Sequence, residues 1–229
     1  MIKILFMFFL LFFQVELPFK TLIVQFSRET IGTSEQSNSR GEILFDRSGK
    51  LVVNVKDPIR QIMIFEGKNL VIYYPVEKKA FRITAQTPFS LPVVSALMGS
   101  LYPNYGLDTM GYRLEKTEKK GDTLVSYWQP PSHVRNILGT FMLVEHQRKL
   151  IYAESKRADG TLATVARFDK YVRVNNMLLA LQVEAQHISK DDIYIEKTNF
   201  DNPQFNKNLP DSLINFRIPS GIAVRELVW

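Results

Sequence analysis

The stretch that decides the fold class is GEILFDRSGKLVVNVK, residues 41–56. Alternate side chains of a β-strand point to opposite faces of its sheet. One face of the first half therefore carries Ile43, Phe45 and Arg47. After the Ser48-Gly49 turn, the matching apolar face carries Leu51, Val53 and Val55. The pattern predicts an antiparallel hairpin with one buried face.

Arg47 ends the apolar row of the first strand, on the face where a charge is least expected. A guanidinium in that position needs acceptors, either a carboxylate or several backbone carbonyls. Two interpretations remain open. The side chain reaches water at the strand end, or it lies at the mouth of a cavity and binds the carbonyls of a covering segment.

The rest of the chain predicts more strands of the same kind. Turn signals recur about every 8–12 residues, which is typical of an antiparallel sandwich or barrel. A polar loop is predicted from Gly32 to Arg40, and neither a repeat nor a flexible linker divides the sequence. The further strands are predicted at 22–28, 60–65, 69–74, 79–84, 111–118, 123–128, 141–145, 150–156, 161–173, 177–187 and 193–198. We therefore expect one mainly β domain.

One segment, residues 90–102, departs from the period of two. Ser90 is a suitable N-cap, and Pro92 lies in the first turn, where proline is tolerated. An apolar stripe at helical spacing consists of Leu91, Val94, Leu97, Met98 and Leu101. The opposite side carries no charge, so this helix is expected to lie against an apolar surface. It is either a core helix that plugs the end of a barrel or a lid over an apolar cavity.

The N-terminus begins with Met-Ile-Lys and continues with ten residues, Ile4 to Phe13, that lack a polar side chain. This pattern is typical of a secretory signal peptide, and the run is shorter than the ~20 residues that span a bilayer. No small-x-small cleavage site follows, so the alternatives of a retained anchor or a buried helix stay open. We expect residues 1–20 to be the signal peptide and 21–229 to be the exported domain.

The composition excludes several kinds of chemistry. The chain has no cysteine and only three histidines, which argues against disulfide scaffolds, thiol catalysis and the common metal sites. Its net charge of +6 favours anionic membrane surfaces but falls short of a nucleic-acid-binding signature. No nucleophile elbow, zinc-protease motif or phosphate loop occurs. We therefore expect no catalytic residues, no metal, no cofactor and no nucleic-acid partner.

Three motifs in order resemble the periplasmic outer-membrane lipoprotein carrier family (LolA). The hairpin at 41–51, which runs on to Asp57-Pro58, resembles that family's strand pair. Residues 64–75, IFEGKNLVIYYP, are similar to its next hairpin, and residues 216–224, FRIPSGIAV, are similar to its terminal strand. The resemblance extends over residues 21–229. This chain departs from it at Ser48, where the family has proline, and at Val53 and Val55, where aromatic residues are frequent.

The resemblance implies a single, highly curved antiparallel sheet, an incomplete barrel, with a helical lid over an apolar cavity. It implies a monomeric periplasmic chaperone that holds lipoprotein acyl chains. Such a carrier takes its cargo from an inner-membrane ATP-driven transporter and passes it to an outer-membrane acceptor lipoprotein. The implied cavity residues are Ile43, Phe45, Leu51, Val53 and Val55, with Leu91, Val94, Leu97, Met98 and Leu101 as the lid and Arg47 as its latch.

Two other classes of function are open. A structural or sensing module of the cell envelope would use the same sheet without transferring lipid, and its inner space would be filled. An enzyme would instead show converging polar groups in a cleft. The character of the cavity therefore discriminates between the three.

Overall fold

A computed structural model of the chain describes residues 19–33, 36–66, 68–84, 97, 99, 101–108, 110–175, 177–189 and 192–228. These residues contain one sheet of fourteen strands. The sheet is open and does not close into a barrel. The prediction of a mainly β, single-sheet fold is therefore confirmed.

The strands of the first half of the chain are β1 (Thr21–Ile31), β2 (Gln36–Asp46), β3 (Leu51–Asp57), β4 (Gln61–Glu66), β5 (Asn69–Tyr74) and β6 (Lys79–Thr84). The remaining strands are β7 (Arg113–Lys120), β8 (Thr123–Gln129), β9 (Leu138–His146), β10 (Lys149–Arg157), β11 (Leu162–Val174), β12 (Met177–Ile188), β13 (Ile193–Phe205) and β14 (Val224–Val228). Short 3-10 turns lie at Pro103–Gly106 and Ser132–Val134, and a single α-helical turn lies at Asp211–Ile214.

Two antiparallel meanders make up the sheet. Strands β1 to β6 pair in sequence, strands β7 to β13 do the same, and β1 pairs with β13 to join the two halves. The sheet was predicted to be antiparallel throughout. This prediction is wrong for one pair, because β14 pairs in parallel with β6. A parallel partner arrives from a distant part of the chain, 140 residues after the end of β6. Local alternation therefore gives no sign of it.

The inner face of the sheet, defined here as the face that carries the large hydrophobic core, contains the residues predicted to share it. Ile43 lies opposite Val53, and Phe45 lies opposite Leu51. Members of this core come from both meanders and include Leu22, Val24, Phe26, Leu143, Phe168, Leu179, Val183 and Phe200. The predicted face assignment of the 41–56 hairpin is confirmed.

The outer face carries a second, smaller core. Leu44, Val52 and Ile64 form its centre, and the C-terminal segment packs on them through Leu213 and Phe216. The rings of Tyr73 and Phe216 lie 5.4 Å apart. The segment after β13 therefore covers the outer face of β2 to β5, so these strands are buried on both faces.

Gly41 allows the β2–β3 hairpin to form. The register shifts between Arg40 and Gly41. A Cβ at position 41 would lie 2.2 Å from the carbonyl oxygen of Asn54, which is closer than real contacts allow. Only glycine lets the two backbones approach this closely.

The polar stretch from Gly32 to Arg40 is strand from Gln36 onwards. A loop was predicted from Gly32 to Arg40, but β2 already begins at Gln36. Its first residues pair with the end of β1, with Thr30 opposite Ser37, and the Gln36 amide donates to Glu29 over 2.6 Å. Backbone pairing with an existing strand outweighs the weak strand propensity of these residues.

The predicted signal peptide lies almost wholly outside the described residues. Phe19, which falls within its predicted bounds, is 2% exposed and packs against Phe45 and Phe205 at ring distances of 6.1 and 5.2 Å. A mature chain that kept these contacts would begin at or before Phe19. In the part of the chain that the structure describes, no helix has the length and apolar character needed to cross a membrane.

Candidate functional site

A short segment after β6 lies on the inner face of the sheet. Leu97, Gly99 and Leu101 are helical, and the chain then turns through Pro103–Gly106. Leu97, Leu101 and Leu107 are at most 1% exposed and belong to the large core. We call the described residues of 97–108 the covering segment.

Tyr105 anchors the covering segment to the sheet. Its ring lies 5.8 Å from that of Phe168 on β11 and 6.4 Å from that of Phe141 on β9. Burial raises the pKa of the Tyr105 hydroxyl to about 12 and also raises the pKa of Tyr102. Asn104 and Tyr105 both have positive φ, 52° and 58°, which is uncommon for residues with a side chain. The turn is therefore held in a costly conformation by its packing.

A cavity of about 610 Å³ lies between the covering segment and strands β9 to β12. Its size falls in the range of small-molecule binding sites, ~300–1,000 Å³. Apolar and aromatic lining comes from Leu101, Tyr102, Tyr105, Leu150, Tyr171, Met177 and Leu178. Polar lining comes from Asn104, Glu145, Gln147, Arg148 and Arg173. Both apolar and polar side chains therefore face this half-open cavity, and we call its apolar lining the interior and its polar, partly basic lining the rim.

Tyr171 lies where the interior of the cavity meets its rim. Its hydroxyl donates a hydrogen bond to the carbonyl of Leu150 on the neighbouring strand. Burial raises the pKa of Tyr171, and the negative charges of Asp169 and Glu145 raise it further. The phenol is therefore neutral across the physiological range and acts as a fixed donor and an apolar wall.

The predicted cavity residues of β2 and β3 lie on the inner face but are already covered. Their side chains belong to the same core as Phe19, Leu97 and Leu101. Exposed fractions run from 0 to 6% for Ile43, Phe45, Leu51, Val53 and Val55. These residues form a packed wall beside the open cavity, and their contact with cargo stays a prediction.

The predicted lid is described only in part. Leu97 and Leu101 are helical, as expected, and both are buried on the inner face. Leu91, Val94 and Met98 lie outside the described residues. The helical lid as a whole therefore stays a prediction.

Arg47 lies one residue beyond β2, in the exposed turn that leads to β3. Its backbone N–H donates to the carbonyl of Lys20 over 2.8 Å, which ties the turn to the start of β1. Its side chain was expected to bind carbonyls of the predicted lid, residues 90–102, and most of that segment lies outside the described residues. The latch role stays a prediction.

A buried ionic cluster lies on the inner face of β1, β12 and β13. Glu196 is 4% exposed and alternates along β13 with Thr198 and Phe200, so it shares their face. Its carboxylate forms an ion pair with Arg28, and its Oε2 lies 3.5 Å from Nε2 of His187. Burial by itself would raise the pKa of Glu196, but the contacts with His187 and Arg28 outweigh it and lower that pKa.

The described residues contain no group of three or more acidic, histidine or cysteine side chains that could hold a metal ion. The ionic cluster is one carboxylate held by two basic side chains, and the imidazole of His187 also stacks on Tyr194 at 4.6 Å. Arg28 and His187 therefore fix the position of the buried Glu196 carboxylate within the sheet.

Sequence reasoning did not single out the cavity residues of β9 to β12. Glu145 and Leu150 are opposite each other in one hairpin, and Arg173 and Leu178 are opposite each other in the next. Each hairpin was predicted as strands. The signal that could have identified the site is the pair of hairpin ends that carry arginine and tyrosine, Gln147-Arg148 and Tyr171–Arg173.

Comparisons with known proteins identify the fold. No family model and no curated protein matches the sequence. Among solved structures, a LolA superfamily protein from Nitrosomonas europaea is similar, with a TM-score of 0.56 and 15% identity over 86% of this chain and 90% of the other.

Two further structures agree. A DUF1329 family protein from Desulfovibrio piger has a TM-score of 0.64 and 12% identity, and a candidate outer membrane lipoprotein-sorting protein domain from Vibrio parahaemolyticus has 0.58 and 13%. Each similarity covers 85% of this chain and 89% of the other. The open, mainly antiparallel sheet is therefore a LolA-like fold.

Proposed function

We propose that this protein is a carrier that holds the acyl chains of a lipoprotein in the cavity under the covering segment. The observation that carries the proposal is the cavity itself, in which leucine, methionine and tyrosine side chains form the interior. The similarity to lipoprotein-sorting and LolA superfamily structures supports the same class of cargo. Binding, with no catalytic step, is the proposed activity.

Acyl chains suit such a site energetically. Each buried methylene contributes about 0.8 kcal/mol, so ten of them contribute roughly 8 kcal/mol. This is enough to hold a chain that is insoluble by itself. Release then requires a second conformation of the covering segment within a few kcal/mol of the first. The proposed latch role of Arg47 would adjust that difference.

The proposal includes a cellular location and two membrane partners. A carrier of this kind would act in the periplasm, take cargo from an inner-membrane ATP-driven transporter and deliver it to an outer-membrane acceptor lipoprotein. The apolar N-terminal run at residues 4–13 supports export, since it has the length of a signal peptide core.

A structural or sensing module of the envelope is the second candidate. It is favoured by the close packing of the inner face over β1 to β3, where Ile43 and Val53 are fully buried beneath the core. The open space over β9 to β12 favours the carrier. Occupancy by lipid therefore separates the two candidates.

Native mass spectrometry of the protein, purified without detergent from an expressing bacterium, tests the proposal. We expect bound acyl species as added mass that delipidation removes and added lipoprotein restores. The Leu150→Asp variant places a charge in the cavity and should abolish this added mass. Ile151→Asp is the matched control, because Ile151 is the next residue in the chain, is 38% exposed and does not line the cavity.

Both variants are first compared with the wild type by circular dichroism and thermal unfolding. Protein that carries no acyl mass and also rejects added lipoprotein and acyl probes would favour the structural module. Equal loss in both variants would place lipid binding outside the cavity.

A further inference from the structure

The rim of the cavity carries a pair of arginines. Arg148 lies in the turn between β9 and β10, with φ of 64°, and Arg173 lies near the end of β11. Both side chains line the cavity and are exposed to solvent. Among the described residues, neither guanidinium forms an ion pair or a hydrogen bond.

The other rim groups leave a positive balance. Glu145 supplies one carboxylate to the lining, against two guanidinium groups. Gln147 is engaged with Asp122, to which its amide donates over 3.4 Å. Outside the lining, the Nζ of Lys149 lies 5.9 Å from the centre of the Tyr171 ring, and the negative charge of Asp169 acts on the same tyrosine, so these two charges offset each other.

This balance differs from that of the ionic cluster on the same face of the sheet. There the guanidinium of Arg28 is paired with a buried carboxylate. At the cavity rim neither guanidinium is paired in this way among the described residues. The two arginines border a space that Leu150, Met177 and Leu178 also line, and apolar side chains beside a charge strengthen its attraction for an anion.

Guanidinium groups bind phosphate and carboxylate oxygens through paired N–H donors. Apolar side chains behind them bind hydrocarbon. A ligand that satisfies both parts has an acyl chain and an anionic headgroup at one end. A zwitterionic headgroup would bring its own cation towards the arginines and lose part of the attraction.

We propose that the cavity binds an anionic amphiphile, with its acyl chain against Leu150, Met177 and Leu178 and its phosphate or carboxylate group at Arg148 and Arg173. The inference rests on the acyl-binding cavity of the proposed carrier function and goes beyond lipoprotein cargo by adding an anionic amphiphile to the ligands of that cavity. It assigns a headgroup-selecting role to the two arginines.

The test compares three probes on the delipidated full chain below their micelle concentrations. Lysophosphatidylglycerol is the anionic probe, lysophosphatidylcholine of the same chain length is the zwitterionic probe, and inorganic phosphate is the probe without an acyl chain. We expect the anionic lysolipid to bind about tenfold more tightly than the zwitterionic one, and phosphate to bind far more weakly than either.

The double variant Arg148→Gln, Arg173→Gln should remove this selectivity and leave binding of lysophosphatidylcholine within about twofold, which also shows that the cavity is intact. The matched control is Arg217→Gln, Arg225→Gln, which removes the same charge from exposed positions outside the cavity. The control should retain the preference for the anionic lysolipid.

Equal affinity of the wild type for the two lysolipids would overturn the headgroup inference and leave the acyl carrier standing. Equal loss of both lysolipids in the double variant would also overturn it, because the arginines would then support the cavity and select nothing. Phosphate binding as tight as the anionic lysolipid would replace the amphiphile site with a simple anion site. Failure to bind either lysolipid would overturn the proposed function together with the inference.

Discussion

Gly99 has no side chain, and this leaves room within the covering segment for the ring of Tyr105, which packs against the sheet. A Cβ at position 99 would lie 2.1, 2.5 and 2.8 Å from three carbons of that ring. The ring has little room to withdraw, because it packs against Phe141 and Phe168. The substitution Gly99→Ala therefore creates a clash within the covering segment that presses the Tyr105 ring towards Phe141 and Phe168.

Two opposing effects set the magnitude. Overpacking of a filled core costs about 1–3 kcal/mol. Alanine is about 1 kcal/mol more favourable than glycine within a helix. We therefore expect Gly99→Ala to lower the free energy of unfolding by up to about 2 kcal/mol in the wild-type background. In a Tyr105→Ala background the clash is gone, so the same change should be neutral or stabilising by up to about 1 kcal/mol.

The assay is a double-mutant cycle by urea denaturation of the wild type, the two single variants and the double variant. The expected coupling free energy between positions 99 and 105 is about 1–3 kcal/mol. Coupling below about 0.5 kcal/mol, the limit for independent sites, would refute the contact between positions 99 and 105 and with it the close packing within the covering segment.

Three further predictions concern other parts of the molecule. Glu196→Gln should destabilise the fold by about 1.5–3 kcal/mol, the value for a hydrogen bond to a charged group, because Arg28 is partly exposed. Because the pKa of Glu196 in the folded protein lies below its ordinary value of 4.5, its contribution to stability is present above that value and is lost as the pH falls towards the folded pKa. Arg28→Met removes the ion pair, so the difference in stability between the wild type and this variant should shrink as the pH falls through that range. Arg47→Leu should change the free energy of unfolding by less than about 0.5 kcal/mol, since the residue is exposed. The same variant should impair lipid uptake or release, and unchanged lipid transfer would contradict the latch role. Phe216→Ala should cost roughly 1–2 kcal/mol, below the range for a fully buried phenylalanine, and a Tyr73→Ala background should reduce that cost if their ring contact is real.

The sequence predicts the strands and their faces well where period two is strong. In the 41–56 hairpin Ile43 and Phe45 alternate with Glu42, Leu44 and Asp46, and a slip of one residue would bury the two carboxylates, so the pattern identifies the inner face although Leu44 is buried on the other face. The same reasoning fails for Gln36–Arg40, whose strand depends on pairing with β1.

The position of the cavity could not be read from local pattern. It forms where Leu150, Tyr171 and Leu178, from three different strands, meet the covering segment. The outer-face core depends likewise on Phe216, which packs on strands more than 140 residues earlier in the chain. Such contacts follow from tertiary packing, which overrides propensity and leaves no periodic trace.

The central claim is that an acyl chain occupies the cavity beneath the covering segment. The most direct measurement is photolabelling of the full chain with a fatty acid that carries a diazirine on its acyl chain, followed by peptide mapping of the adducts. We expect adducts in three peptides, which contain residues 101–105, Leu150 and Leu178, and we expect the Leu150→Asp variant to lose them. Adducts concentrated on the outer face around Leu213, or an absence of adducts under conditions that label a known carrier, would contradict it.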